Sequence, residues 1–272
     1  MTSPRRQRLD QLLVERGLVP TRTRAQALVL GGRVRVGDGD AARTNHKPGD
    51  LLQADARVDL VETDPFVSRG GHKLAAALDA FAVDPSGRVA LDVGASTGGF
   101  TDVLLQRGAA RVHAVDVGRG QLADVLRRDP RVVSHERVNA RHLTPELLGE
   151  QVTLAVIDVS FISLDLVLAP VAATFGPAGG DLIALVKPQC EAGKGRTDGG
   201  VVRDPAVHRE VLERAVAAAT ERGLRPVGLV ASPLLGPAGN REFLLHALVG
   251  TAADALHPEI DWPARIHEVV GT

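Results

Sequence analysis

Five polar residues fall where an alternating pattern of strands and helices would carry or end a strand: Asp92 lies in the first strand, Asp116 ends the second, Asn139 follows the third, Asp158 ends the fourth and Lys187 ends the fifth. In open α/β sheets ligands bind at the carboxyl ends of the strands, so these side chains describe one continuous cleft. A carboxylate at Asp116 can accept both hydroxyls of a ribose, and Asn139 can pair with an adenine edge. Taken singly, each is equally compatible with a cap or a turn. Beside them, Val89 to Val93 reads as a buried strand that breaks into Gly94-Ala95-Ser96-Thr97-Gly98-Gly99 and reopens as a helix near Phe100. Glycines permit positive φ and close ligand approach, and the free N–H groups of a new helix face whatever binds there. The turn reads G-x-x-x-G-G and lacks the middle glycine of G-x-G-x-x-G, which argues against a dinucleotide.

Lysine usage sharpens the selection. Only Lys47, Lys73, Lys187 and Lys194 occur among 32 basic residues. Arginine cannot lose its proton, whereas a partly buried lysine can become a neutral base. A single cysteine, Cys190, excludes an intrachain disulfide and any multi-cysteine metal site, and nine scattered histidines suggest no metal. No apolar run approaches the roughly 18 residues of a membrane span, and the N-terminus does not read as a signal peptide, so a cytoplasmic protein is expected.

Charge and periodicity divide the 272 residues. Residues 1–35 hold eight arginines against Asp10 and Glu15, a net of +6 in a chain whose formal charge is −1. That asymmetry suits a nucleic-acid-binding module as well as a plain solvated surface. The first 60 or so residues read helix, turn, helix and short strands. A linker is expected at 63–67, between a first domain at 1–62 and a second at 68–272. In the second, a helix carrying Leu74, Leu78 and Phe81 leads into alternating strands and helices, including helices near 100–107, 120–128, 163–174 and 205–222. Two closing strands at 227–231 and 243–249 leave little room for a helix between them. The expected fold is α/β: a doubly wound, mostly parallel, Rossmann-like sheet whose closing pair, if antiparallel, suits a class I methyltransferase, a choice that periodicity alone does not make over other doubly wound folds.

The N-terminal segment resembles the S4 RNA-binding domain, an α+β module, in Arg8-Leu9-Asp10, in Thr21 to Ala27 and in Gly32-Arg33-Val34-Arg35-Val36. It offers Gly37-Asp38 where that pattern has Asn-Gly, which weakens the hairpin signal. The resemblance implies that Arg8, Arg22, Arg24 and Arg33 meet RNA phosphates. Further on, Ser68 to Leu74, Asp92 to Thr101, Asp158-Val159-Ser160-Phe161, Val186-Lys187-Pro188-Gln189, Gly199 to Asp204 and Gly239-Asn240-Arg241-Glu242-Phe243 resemble the TlyA-type ribosomal RNA 2′-O-methyltransferases, often labelled hemolysins, whose catalytic domain is FtsJ-like. With the S4-like front, the resemblance covers nearly the whole chain.

That resemblance implies S-adenosylmethionine as cofactor, held by Asp92, Gly94, Ala95, Ser96, Gly98, Gly99, Phe100, Asp116 and Asn139. It implies a Lys-Asp-Lys-Glu tetrad of Lys73, Asp158, Lys187 and Glu242, with Lys187 as the base for a ribose 2′-hydroxyl and no metal required. Ribosomal RNA or subunits would be the partner, with cytidine in 16S rRNA the target and 23S rRNA a second candidate. Arg69, together with Lys194 and Arg196 in a glycine-rich loop at 193–200, would meet the RNA backbone. Cys190 stands where the family carries an aromatic residue, and the lack of an Asn/Asp-Pro-Pro-aromatic motif argues against amine methylation. Two other readings compete: a non-catalytic ribosome-binding or assembly factor, and a membrane-active hemolysin, which would need an apolar inserting segment.

Overall fold

The computed structural model describes residues 6–61, 64–193, 195–254 and 258–271. Lys194 and linker residue Thr63 lie outside them. The chain divides into two compact units, Met1–Pro65 and Phe66–Thr272.

In the first unit, β1 (Arg6–Arg8) runs directly into α1 (Leu9–Glu15), followed by α2 (Arg22–Leu30), β2 (Val34–Val36), β3 (Leu51–Gln53) and β4 (Val58–Leu60). Thr21 caps α2 by accepting a bond from the Arg24 N–H at 3.2 Å. Leu9, Leu12 and Leu13 share one face of α1 and pack with Ala25 and Val29 of α2, while Val34, Val36 and Val58 close this small core. β1 pairs antiparallel with β3, and β2 with β4. Gly37-Asp38 therefore makes no tight hairpin: Val34 lies opposite Leu60, across a long connection.

The second unit runs α3 (Gly70–Phe81), β5 (Val89–Val93), α4 (Gly99–Gln106), β6 (Arg111–Asp116), α5 (Asp124–Arg127), β7 (Val132–Glu136), α6 (Pro145–Leu148), β8 (Leu154–Ile157), α7 (Asp165–Ala172), β9 (Gly180–Val186), α8 (Pro188–Glu191), α9 (Pro205–Glu221), β10 (Arg225–Ala231), β11 (Phe243–Val249) and α10 (Trp262–Gly271). Its strands form one sheet in the order β10-β11-β9-β8-β5-β6-β7. Strands β5 to β9 are mutually parallel and β11 is antiparallel to both neighbours. Alternate residues feed two cores. Ala90, Leu154 and Val156 join Leu74, Leu78 and Leu104 on the face of α3 and α4. Leu91, Ala155 and Ile157 join Val167, Val211 and Ile266 on the face of α7, α9 and α10.

Two expectations change. The helix near 120–128 shrinks to the single turn α5, because Gly118 and Gly120 hold the chain in a loop and Gly120 takes φ +64°. Helix α10 was not expected; Ile266, Val269 and Val270 bury it against the sheet. The register of β11 matters most for the site. Phe243 lies opposite Val186, so the residue entering β11, Glu242, stands beside the residue leaving β9, Lys187.

Candidate active site

The turn after β5 forms the floor of a cleft. Gly94 has φ +85°, and a Cβ there would clash with the carbonyl of Asp158, so only glycine lets these two loops touch. Gly98, with φ +97°, opens α4, and a Cβ on Gly99 would strike the Ser68 hydroxyl. Part of the N–H cradle is already taken: Ser96 donates to Asp116 Oδ2 at 2.8 Å, and Thr101 donates to Asp92 Oδ2 from its N–H at 2.9 Å and its hydroxyl at 2.7 Å. Asp92 is fully buried and its Oδ1 has no hydrogen-bond partner. Burial, with Asp158 and Asp116 adding negative charge nearby, pushes its carboxyl up to about 7.

Two adjoining cavities share Gly94, Ser96, Asp158, Ser160 and Phe161. One, of about 480 Å³, is lined by Asp116, Asn139, Val138, Arg141 and Gln121. Asp116 Oδ1 also accepts from the Gly118 N–H at 2.7 Å, and Asn139 accepts from the Arg141 N–H at 3.1 Å, so both brace their own loops while facing the cavity. The other, of about 640 Å³, holds Ser68, Arg69, Lys73, Asp92, Ala95, Phe100, Lys187, Gln189, Cys190, Asn240 and Glu242.

The four residues of the expected tetrad all line this larger cavity, arranged as two ion pairs. Lys187 Nζ lies 2.6 Å from Asp158 Oδ1 and donates to Ser160 Oγ at 2.7 Å. Lys73, on the first turns of α3, pairs with Glu242, whose side chain is completely buried and whose other oxygen accepts from Gln189 Nε2 at 3.1 Å. Glu242 needs room that Gly236 provides, since a Cβ there would enter its carboxylate.

Several residues of the site carried no assignment in the sequence. Ser160 and Asn240 lie inside motifs whose neighbours received the roles. Asn240 is buried and fastens the base of the glycine-rich loop, accepting from Val202 N–H at 3.0 Å and donating to the Gly200 carbonyl at 3.0 Å. Glu191 accepts from the Leu164 N–H and the Ser163 hydroxyl, a bond between loops that spacing does not reveal. Phe161 is fully exposed at the rim of both cavities with φ +64°, a costly conformation for a bulky residue and one concentrated at working sites.

The arginines expected to meet RNA divide by their partners. In the first unit Arg8 and Arg22 both bond to Asp10, which is buried and also accepts from Gln26 at 2.9 Å. These bonds hold the Asp10 carboxyl far below the usual carboxylate range. Both guanidinium groups thus have a structural partner as well as partial exposure. Arg24 and Arg33 are exposed and line a groove with Leu18, Val19, Leu28, Leu60 and Val61. In the second unit Arg69 is exposed on the cavity rim, whereas Arg196 pairs with Glu210 of α9 at 2.6 Å.

A glycine turn after the first parallel strand, an acid ending the next and an antiparallel last strand inserted beside the sheet's edge define a class I methyltransferase. Residues 66–248 match the FtsJ-like methyltransferase family and residues 7–39 match the S4 domain. The 16S/23S rRNA (cytidine-2′-O)-methyltransferase TlyA of Mycobacterium tuberculosis is 51% identical over 245 residues, 89% of each chain. Hemolysin A of Brachyspira hyodysenteriae is 36% identical, over 89% of this chain and all of that one. A solved chain from Streptococcus thermophilus is 41% identical, covers 99% of this chain and 96% of its own, and superposes with a TM-score of 0.72. The chain belongs to the TlyA-type group of FtsJ-like methyltransferases.

Its methyl donor is S-adenosylmethionine, and the cleft fits that group: a glycine floor that a Cβ would fill, an acid at the end of β6 and an orphaned carboxylate oxygen at Asp92. Among the described residues no helix is long and apolar enough to cross a membrane, and no group of three or more His, Cys, Asp or Glu is arranged to hold a metal.

Proposed function

We propose that this chain methylates the 2′-oxygen of a cytidine in ribosomal RNA, of the small subunit and also the large, in the cytoplasm. The pairing of Lys187 with Asp158 and Ser160, beside the Lys73–Glu242 pair in one open cleft, carries this reading. The activity in the printed name of the Mycobacterium tuberculosis relative supports it.

A ribose hydroxyl is a weak acid and a poor nucleophile until a neighbour takes its proton. In its amine form Lys187 has two hydrogens and one lone pair. Ser160 accepts one hydrogen and the Asp158 carboxylate lies beside the nitrogen as a charge partner, so the lone pair can be turned to the cleft and the incoming hydroxyl. Lys73, paired with Glu242, faces the same space, where an ammonium stabilises negative charge growing on the sugar oxygen. S-adenosylmethionine supplies the methyl group as a sulfonium-bound electrophile. Asp116 and Asn139 hold its nucleoside end, and the turn at 94–99 with Phe100 holds the methionine end. The protein's main contribution is to bring oxygen, carbon and sulfur into line. Phe161 offers an exposed aromatic face on which a splayed base can stack. Arg8, Arg22, Arg24 and Arg33 contact phosphates, as do Arg69 and the loop bearing Lys194 and Arg196, and give affinity and register without reading bases.

The test is incubation of the purified protein with ribosomal subunits and methyl-labelled cofactor, followed by mass spectrometry of the digested nucleosides. Labelled 2′-O-methylcytidine is expected. A label carried on a base, or no transfer to any RNA, overturns the proposal.

A further inference from the structure

Glu242 holds Lys73 from the end of a loop, and that loop has little regular structure of its own. The stretch before Glu242 makes no strand, and Ala238 and Gly239 take φ +60° and +88°. Its position is set by bonds to other elements. Asn240 ties it to Val202 and Gly200, and the Glu242 carbonyl accepts from the Ser232 N–H at 2.9 Å. Arg241 goes the other way. Side chains alternate from face to face along a strand and its entry: Glu242 reaches Lys73 of α3, while Arg241 turns to the opposite face, where Phe243 packs with α9 and α10. The Arg241 guanidinium lies 5.7 Å from the centroid of the Phe243 ring. It donates from Nη1 to the Val270 carbonyl at 2.8 Å and from Nη2 to the Val269 carbonyl at 3.3 Å.

Val269 and Val270 lie in the last turn of α10. The final carbonyls of a helix have no partner within it and carry the negative end of its dipole, so a guanidinium suits them. The helix is the firmer of the two partners. Arg265 fixes it to β10 by donating to the Leu229 carbonyl from Nε at 3.1 Å and from Nη2 at 2.7 Å, and Ile266, Val269 and Val270 are buried against the sheet. We propose that Arg241 is a positioning residue for methyl transfer, a role that rests on the tetrad reading above: by pinning the entry of β11 to the end of α10, it fixes where Glu242 holds Lys73. A helix on the far side of the sheet thereby sets the geometry of the cleft. A shift of about 1 Å in a catalytic group can cost on the order of 100-fold. The bonds of Asn240 and Ser232 remain when Arg241 is lost, so a smaller loss of about tenfold is expected.

Single-turnover methyl transfer to ribosomal subunits at saturating cofactor, with S-adenosylhomocysteine affinity measured by calorimetry alongside, tests this on the full chain. Arg241→Met should lower the rate about tenfold and leave cofactor affinity within about twofold. Arg241→Lys keeps one donor for the end of α10 and should return to within about threefold of wild type. Gly271→Pro probes the other side of the contact. A Cβ at Gly271 meets nothing within 4 Å, and a proline there drives the preceding residue out of the helical region, which turns the Val270 carbonyl away from Arg241 and leaves both valine side chains in the chain. This variant should be about as slow as Arg241→Met, and the double variant no slower than either, because both break one contact. In a Glu242→Gln background, already slow, Arg241→Met should cost less than about twofold more, whereas a general loosening of the fold would still cost about tenfold. Arg241→Met or Gly271→Pro at the wild-type rate overturns the proposal, and so does a further tenfold loss in the Glu242→Gln background. A Glu242→Gln protein as fast as wild type overturns the tetrad reading itself, and the role of Arg241 with it.

Discussion

Glu191 links the two loops that carry the Lys187–Asp158 pair, and its removal should damage both stability and rate. It closes α8, a short way past Lys187, and accepts from the Leu164 N–H at 2.7 Å and the Ser163 hydroxyl at 2.9 Å. Those donors end the loop that begins with Asp158 and Ser160. The carboxylate therefore ties the segment of the lysine to the segment of its partners. Glu191→Ala removes the acceptor of two donors at the start of α7. An acceptor at a helix N-terminus is worth about 0.5–2 kcal/mol, and two bonds to a charged group put this one near the top of that range. For a domain of roughly 150–250 residues each 1 kcal/mol moves the melting temperature by about 2–4 °C, so a fall of about 4–8 °C is expected. The rate should fall further, since a misplacement of about 1 Å in a catalytic pair can cost on the order of 100-fold. Glu191→Gln keeps an acceptor for Leu164 and should recover most of both. Thermal melts alongside single-turnover methyl transfer at saturating cofactor measure the two effects. An alanine variant with wild-type melting temperature and rate refutes the reasoning, and so does a glutamine variant that regains stability but stays as slow as alanine.

Other consequences follow from the same geometry. Removing one member of the buried Lys73–Glu242 pair leaves an uncompensated charge, so Lys73→Met or Glu242→Leu should each cost about 3–5 kcal/mol, and the double variant less than either; urea melts that show additive losses would contradict this. Gly94→Ala forces a Cβ into the Asp158 carbonyl at φ +85°, and should weaken S-adenosylhomocysteine binding at least tenfold in calorimetry; unchanged affinity would mean that the turn does not form the cofactor floor. Burial and neighbouring His113 hold the His135 imidazole below its ordinary value, and burial does the same for His208. The stability these neutral rings give is complete above the unfolded value near 6.5 and is lost as pH falls through it towards their lower folded values. The melting temperature should therefore drop as pH is lowered from about 7 to about 5.5, with His135→Asn flattening part of the slope, and a melting temperature constant over that window contradicts the reading.

The sheet was legible because its signals are local. Val89 to Val93 is apolar apart from Asp92 and flanked by glycine, Val112 to Val115 and Leu154 to Ile157 follow at βαβ spacing, and the strands at 225–231 and 243–249 leave little room for a helix between them. The order of the last two strands was not legible: only tertiary pairing inserts β11 between β9 and β10, and that insertion brings Glu242 to Lys187. Helix α10 escaped notice because its apolar residues, Ile266, Val269 and Val270, span barely a turn. For the cleft, residue types pointed to Asp92, Asp116, Asn139, Asp158 and Lys187, while Lys73 and Glu242 came from family resemblance. Hydrogen bonds that cross between loops left no trace in spacing. Asp10 illustrates this, since it reads as a stray acid in a basic segment and proves to be the buried acceptor that orients Arg8 and Arg22.

The central claim is that the nitrogen of Lys187 takes the proton of an RNA sugar hydroxyl. It is tested most directly by comparing wild-type protein with Lys187→Ala, measuring 2′-O-methylcytidine formed on ribosomal RNA together with S-adenosylhomocysteine affinity by calorimetry. The expected result is loss of at least a thousandfold in the single-turnover rate with cofactor affinity unchanged within about threefold. An alanine variant that still methylates within tenfold of wild type would show that the proton leaves by another route.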